Sequence, residues 1–195
     1  MKIIGITGGV GAGKSTILNY MRDAHGAAIC EADKVAHELE NPGENCYEQI
    51  ITHFGEEILS ENGEIDRKKL GNIVFREKEK LTLLNRIVHP QVKEYIKKKI
   101  KTEKEKKTAL FVVEAALLIE DHYDEICDEL WYIHASDEVR KRRLKASRGY
   151  SDEKIDGIMR NQKSEEEFRK YCRVVIDNSG EVKDTCRQVE KALES

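Results

Sequence analysis

The chain has 195 residues, 36% of them charged and 39% hydrophobic, with a formal net charge of −3. That length suits one folded core with a sub-domain inserted in it, and the near-balanced charge gives no reason to expect a nucleic-acid partner. No apolar run approaches the roughly 20 residues of a membrane span, and no basic segment precedes an apolar stretch at the start, so neither a membrane anchor nor a secretory leader is expected.

The first apolar run, Ile3-Ile4-Gly5-Ile6, leads into Gly8-Gly9-Val10-Gly11-Ala12-Gly13-Lys14-Ser15 and then into the helical stretch 16–22, which opens on Thr16. The eight residues complete the pattern G-x-x-x-x-G-K-[ST], in the strand–loop–helix context that makes the pattern a phosphate site. Glycines let the backbone turn tightly and aim several N–H groups at one anion. The helix that starts there adds the positive end of its dipole. Lys14 is then placed to reach the β- and γ-phosphates of a nucleotide, and the Ser15 hydroxyl to ligate Mg²⁺.

Five apolar runs predict strands at residues 3–7, 27–30, 109–113, 130–134 and 174–177. Several hold β-branched residues and none alternates with polar ones, which predicts strands buried on both faces of a parallel sheet. Helical stretches separate most of them, so the fold class is α/β with crossovers. The exception is the stretch 34–107, which has helical patterning, turn signals at Asn41-Pro42-Gly43 and Glu61-Asn62-Gly63-Glu64, and both prolines of the chain, Pro42 and Pro90. It reads as a helical insertion beside the sheet. Its end carries Lys97, Lys98, Lys99, Lys101, Lys104, Lys106 and Lys107. Such a run suits a phosphorylated substrate, or more plainly a solvated helix end favoured by the C-terminal dipole.

Asp33 follows the second strand and Glu114 the third. In parallel sheets the ligand crevice lies beyond the carboxyl ends of the strands, so a carboxylate there can accept or orient the proton of an attacking hydroxyl, or hold Mg²⁺ through water. Glu31, on the same side of an extended strand, is the alternative to Asp33, and Asp33 could equally cap a helix beginning at Lys34. Glu114 is the weaker candidate for the same crevice. Further on, Arg140, Lys141, Arg142, Arg143, Lys145 and Arg148 precede Ser151-Asp152-Glu153, a helix N-cap with acids in its first turn. An arginine-bearing mobile segment of this kind would bring cations to a transferring phosphoryl group when the site closes. The five cysteines, Cys30, Cys46, Cys127, Cys172 and Cys186, form no C-x-x-C pair. Reduced thiols of a cytosolic protein are the expectation, with no zinc site.

Taken in order and spacing, these residues resemble the dephospho-coenzyme A kinase family, over essentially the whole chain. The resemblance is carried by Ile6–Thr16, Glu31-Ala32-Asp33, Asn41-Pro42-Gly43, His53-Phe54-Gly55, Asp66–Leu70 with Ile73-Val74-Phe75, Leu84–Pro90 and Ile176–Gly180. It implies a P-loop kinase core with a five-stranded parallel sheet flanked by helices (about 1–33 and 108–195), a helical coenzyme A-binding insertion (about 34–107) and a lid (about 140–160). It implies ATP as phosphate donor, Mg²⁺, and phosphorylation of the ribose 3′-hydroxyl of dephospho-CoA in the cytoplasm, with no obligate protein partner. Carried over residue by residue, the nucleotide would meet Gly8, Gly9, Val10, Gly11, Ala12, Gly13, Lys14, Ser15, Thr16, Arg143 and Asn178, the last near the adenine. The acceptor would meet Asp33, His89, Leu117 and Leu118. Asp33, Lys14 and Arg143 would be catalytic, and His89-Pro90 would start a helix.

Two positions depart from the family's pattern. Ala116 stands where proline is usual, and the lid reads Ser147-Arg148-Gly149-Tyr150-Ser151, with its arginine one place late. Arg143 is therefore the favoured lid arginine, with Arg148, expected in a turn, as a substitute. The rival readings are another small P-loop kinase acting on a nucleoside monophosphate or metabolite, and a GTP-dependent switch. The switch would need N-K-x-D, which Asn161-Gln162-Lys163-Ser164 does not supply.

Overall fold

The structure, a computed structural model, describes residues 1–194. Strands β1 (Lys2–Thr7), β2 (Ala28–Glu31), β3 (Leu110–Glu114), β4 (Glu129–His134) and β5 (Val174–Asp177) form where the five apolar runs predict them, within one residue at each end. They make one sheet in the order β2-β3-β1-β4-β5, with parallel register in the pairs β1–β3, β1–β4 and β4–β5. The three central strands are buried almost throughout, as expected of a sheet covered on both faces.

By compactness the chain divides into two units. One holds residues 1–30 and the chain from 103 on, the other residues 31–102. In the first, α1 (Lys14–His25) and α9 (Val182–Leu193) contact each other and share one apolar core with the sheet. Ile17, Leu18 and Met21 of α1 and Val189 of α9 meet Ile4, Ile6, Val112, Trp131 and Ile133 in that core. Tyr20 and His25 of α1 both bond the Glu190 carboxylate of α9. The carboxylate pushes the Tyr20 phenol up to about 12, through the hydrogen bond and its own charge. The same unit holds α6 (Asp137–Arg148), α7 (Asp152–Arg160) and α8 (Glu165–Tyr171). Serine side chains cap all three, at Ser136, Ser151 and Ser164.

The second unit contains α2 (Ala32–Leu39), α3 (Asn45–Phe54), α4 (Arg67–Val74) and most of α5 (Lys78–Glu105). Cys46, Ile50, Ile58, Leu70, Val74 and Ile96 are among its buried side chains. Asp66 caps α4 by accepting from the Lys68 and Lys69 N–H groups, and these bonds hold its carboxyl below the usual range.

Two local expectations change. Pro90 lies inside α5 and does not start a helix. A proline interior to a helix costs about 3 kcal/mol, but Ile87, Val88, Val92, Ile96 and Ile100 are buried along α5 on both sides of it. At about 1.5–3 kcal/mol for each buried side chain, that stripe outweighs the kink. Asp33 is also not a cap. Helix α2 begins at Ala32 with Glu31 at the N-cap position, so Asp33 sits exposed in the first turn, where the dipole favours a carboxylate.

Candidate active site

Helix α1 begins at Lys14, two residues earlier than its apolar pattern predicts, so the loop after β1 runs from Gly8 to Gly13. Gly13 holds φ 85°, and a Cβ there would fall against the Asn178 amide; at Gly8 a Cβ would fall against the carbonyl oxygen of Ile133. Glycine is thus required by backbone angle at the first position and by close approach at the second. Lys14 folds back across the loop, its Nζ donating to Gly8 O at 2.9 Å. The same ammonium lies 3.4 Å from the Glu114 carboxylate. The register Ile6↔Glu114 across β1 and β3 puts that carboxylate beside the loop. Glu114, the weaker candidate in the sequence, is therefore the carboxylate that meets the loop lysine. Ser15 and Thr16 are exposed in the first turn of α1.

The loop is held from outside by two side chains that converge on one carbonyl. Asn178 Nδ2 donates to Ala12 O at 2.7 Å, and Arg143 Nη1 donates to the same oxygen at 3.2 Å. Arg143 Nη2 also donates to Asn178 O at 2.8 Å. Thr185 Oγ1 completes the set by donating to Asn178 Oδ1 at 3.0 Å. Asn178 is 1% exposed, so its amide serves the protein. Expected near the adenine, it braces the loop through Ala12.

Two more expected site residues fall differently from the sequence reading. Arg148 is the last residue of α6, not part of a turn, and its guanidinium lies 5.8 Å from the centre of the Tyr150 ring. Leu118 is fully buried and would meet a side chain at Gly5, so of the leucine pair only Leu117, 41% exposed, presents surface. Asp33 and His89 belong to the second unit, on α2 and α5.

Sequence reasoning missed Arg140 and Gln162 as residues of the loop. Arg140 Nε donates to Val10 O at 3.0 Å, and the Val10 N–H donates to Gln162 Oε1 at 3.3 Å. Arg140 is one of several basic residues in its stretch and Gln162 carries no motif, so no local signal separates them from their neighbours. Both line a cavity of about 860 Å³ beside Gly9, whose walls include His134 and the stacked rings of Tyr132 and Phe168, with centroids 4.6 Å apart. Burial pushes the thiols of Cys127 and Cys172 up to about 12 and that of Cys46 to about 11, so these three stay protonated and unreactive at neutral pH.

Among the described residues no cluster of three His, Cys, Asp or Glu could hold a metal ion. Mg²⁺ itself keeps several waters and substrate phosphate oxygens and needs only one or two protein groups. The Ser15 hydroxyl is exposed at the start of α1.

Residues 2–184 match the sequence profile of dephospho-CoA kinase. The chain belongs to the dephospho-CoA kinase family. A dephospho-CoA kinase from Carboxydothermus hydrogenoformans is 40% identical over 194 residues, covering 100% of this chain and 94% of the relative. Among solved structures, a Thermus thermophilus protein superposes with a TM-score of 0.84 at 31% identity, over 99% of this chain and 96% of its own. The dephospho-CoA kinase from Campylobacter jejuni superposes with a TM-score of 0.71 at 26% identity, over 100% of this chain and 96% of its own. As a member of a kinase family with a P-loop core, the chain is an ATP-using phosphotransferase. Among the described residues, no helix is long and apolar enough to cross a membrane.

Proposed function

We propose that this chain transfers the γ-phosphoryl group of ATP to the ribose 3′-hydroxyl of dephospho-CoA, giving coenzyme A and ADP, the last step of coenzyme A synthesis. The observation that carries the reading is a family match along nearly the whole chain, on a fold whose glycine loop is braced at Ala12 and crossed by Lys14. We assign the cytoplasm as its place and no obligate protein partner.

In this reading the loop N–H groups and the α1 dipole bind the β-phosphate, and Lys14 leaves Gly8 O to meet charge developing on the γ-phosphoryl oxygens. The acceptor oxygen attacks phosphorus, the bond to the β-phosphate oxygen breaks, and the acceptor's proton passes to the Asp33 carboxylate. Mg²⁺ would neutralise charge on the β- and γ-oxygens, with Ser15 as this chain's ligand. Arg143 holds the loop in its binding shape through Ala12 O. The segment 34–107, with His89, would receive the coenzyme A part of the acceptor, with Leu117 presenting apolar surface to it, and the segment 140–160 would act as the lid.

The test is direct. Purified protein incubated with Mg-ATP and dephospho-CoA should yield ADP and coenzyme A in equal amounts, with the new phosphate on the 3′-oxygen. Turnover of a nucleoside monophosphate, with none of dephospho-CoA, would overturn the assignment.

A further inference from the structure

The contacts of Arg140 set it apart from the other arginines of α6. Its side chain is only 13% exposed, whereas Arg142 and Arg148 are exposed. A guanidinium taken out of water is costly unless its N–H groups are bonded, and here they are spent on the phosphate loop and its surroundings. Nε donates to Val10 O at 3.0 Å, Nη2 to Gln162 Oε1 at 2.5 Å, and Nη1 faces Asp137 Oδ1 at 3.4 Å on the outer rim. Gln162 Oε1 in turn accepts the Val10 N–H. Both backbone polar groups of Val10 are therefore tied, its carbonyl by Arg140 and its N–H by Gln162, and the two side chains are tied to each other. The group also lies against the backbone of Gly9. A Cβ there would come 2.5 Å from Arg140 Nη2 and 2.6 Å from its Cζ.

The two side chains reach Val10 from opposite ends of one segment. Arg140 is in the first turns of α6, and Gln162 comes just after the end of α7. Between them lies the whole stretch that carries Arg143 and Arg148. We propose that Arg140 and Gln162 form a latch that holds the Gly9–Val10 backbone in its anion-binding shape and pins both roots of the α6–α7 segment to it, so that Arg140 acts as a positioning residue for ATP. The latch is separate from the Arg143–Asn178 brace, which grips the loop at Ala12, two residues on. With the two grips, the loop has its carbonyls fixed at Val10 and Ala12 before any nucleotide arrives. Preorganised donors of this kind need not rearrange when the anion binds.

The inference rests on the loop being the ATP site, and the test reads ATP binding apart from phosphoryl transfer. ATP is titrated calorimetrically into the wild-type protein and into Arg140→Lys, Gln162→Met and the Arg140→Lys/Gln162→Met double variant. Steady-state constants for ATP and dephospho-CoA and urea midpoints are measured in parallel. Lysine keeps the charge but loses the planar fork that serves Val10 and Gln162 together. Arg140→Lys and Gln162→Met should each weaken ATP binding about tenfold, and the double variant should lose little more than the worse single, because both break one device. The KM for dephospho-CoA should stay within about twofold of wild type, as expected when only nucleotide binding is touched.

Wild-type ATP affinity in Arg140→Lys or Gln162→Met would overturn the proposal. So would multiplied losses in the double variant. Equal loss of affinity for both substrates, tracking a fall in urea midpoint, would mean a general packing role and would overturn it as well. If the wild-type protein binds ATP but does not phosphorylate dephospho-CoA, the functional assignment fails while the latch is still decided by the ATP titrations.

Discussion

Replacing Asn178 with alanine should destabilise the protein by about 2–3 kcal/mol and weaken ATP binding. The side chain is 1% exposed and makes two hydrogen bonds, to Ala12 O at 2.7 Å and from Thr185 Oγ1 at 3.0 Å. Each is worth about 1 kcal/mol net, and the space left by the amide adds up to about 1 kcal/mol more. The total stays moderate because neither partner is orphaned. Ala12 O keeps Arg143 Nη1 at 3.2 Å, and Thr185 Oγ1 keeps carbonyls of Asp177 and Glu181 at 3.4 Å. For a chain of this size, each kcal/mol lowers the melting temperature by about 2–4 °C, so scanning calorimetry should find a drop of roughly 4–12 °C. Urea titration gives the free energy and a nucleotide titration the affinity. Asn178→Asp is the control. It keeps the size but turns an oxygen toward Ala12 O, so it should be at least as damaging. A variant within about 0.5 kcal/mol of wild type, with unchanged ATP affinity, would refute the idea that Asn178 braces the loop.

Lys14→Ala should fold normally and lose about 10²–10³ in turnover, as when other preorganised donors are removed; near-normal kinase activity would exclude this loop as the ATP site. Asp33→Asn should slow the chemical step by about 10²–10⁴ with ATP affinity unchanged, and a collapse of Mg-ATP binding would instead make Asp33 a metal-shell residue. Arg143→Ala should harm turnover more than Arg148→Ala, and high salt should not narrow the gap. Arg143 makes two hydrogen bonds to the loop brace, whereas Arg148 is exposed beside the Tyr150 ring, where charge alone would be screened. Native protein at pH 8 should release fewer than five thiols to a disulfide reagent, because burial raises those of Cys46, Cys127 and Cys172 and the partly buried Cys186 is raised too. Since Cys127 and Cys172 keep their protons when the unfolded chain would lose them near pH 9, the native state binds more protons there, and urea midpoints should fall as pH rises past that value.

How much of the site could be read in advance depended on whether its parts are neighbours in the chain. Gly8–Ser15 is one run of eight residues, and every element of its chemistry is local: glycine torsions, a helix start, a lysine and a hydroxyl. The strands were equally legible, because burial on both faces leaves an unbroken apolar run. The α5 proline misled, since a local rule about helix starts was outweighed by a stripe of buried residues running past it. The brace at Asn178 was not legible, because its residue type announces a polar role but its amide meets the Ala12 carbonyl only through what packs over it.

The amino-acid order by itself determined the phosphate loop, the α/β class and the five strands, because torsional preference and apolar periodicity act over a few residues. It also carried the family's whole pattern, from Ile6 to Gly180. What grips the loop was decided only by the tertiary structure. The strand order β2-β3-β1-β4-β5 sets β1 between strands that come more than a hundred residues later. Parallel pairing puts all their carboxyl ends on one side. Glu114 comes to Lys14, Arg143 and Asn178 to Ala12, and Arg140 and Gln162 to Val10 for that reason. Hydrogen bonds at about 3 Å require that closeness in space, and no spacing along the chain records it.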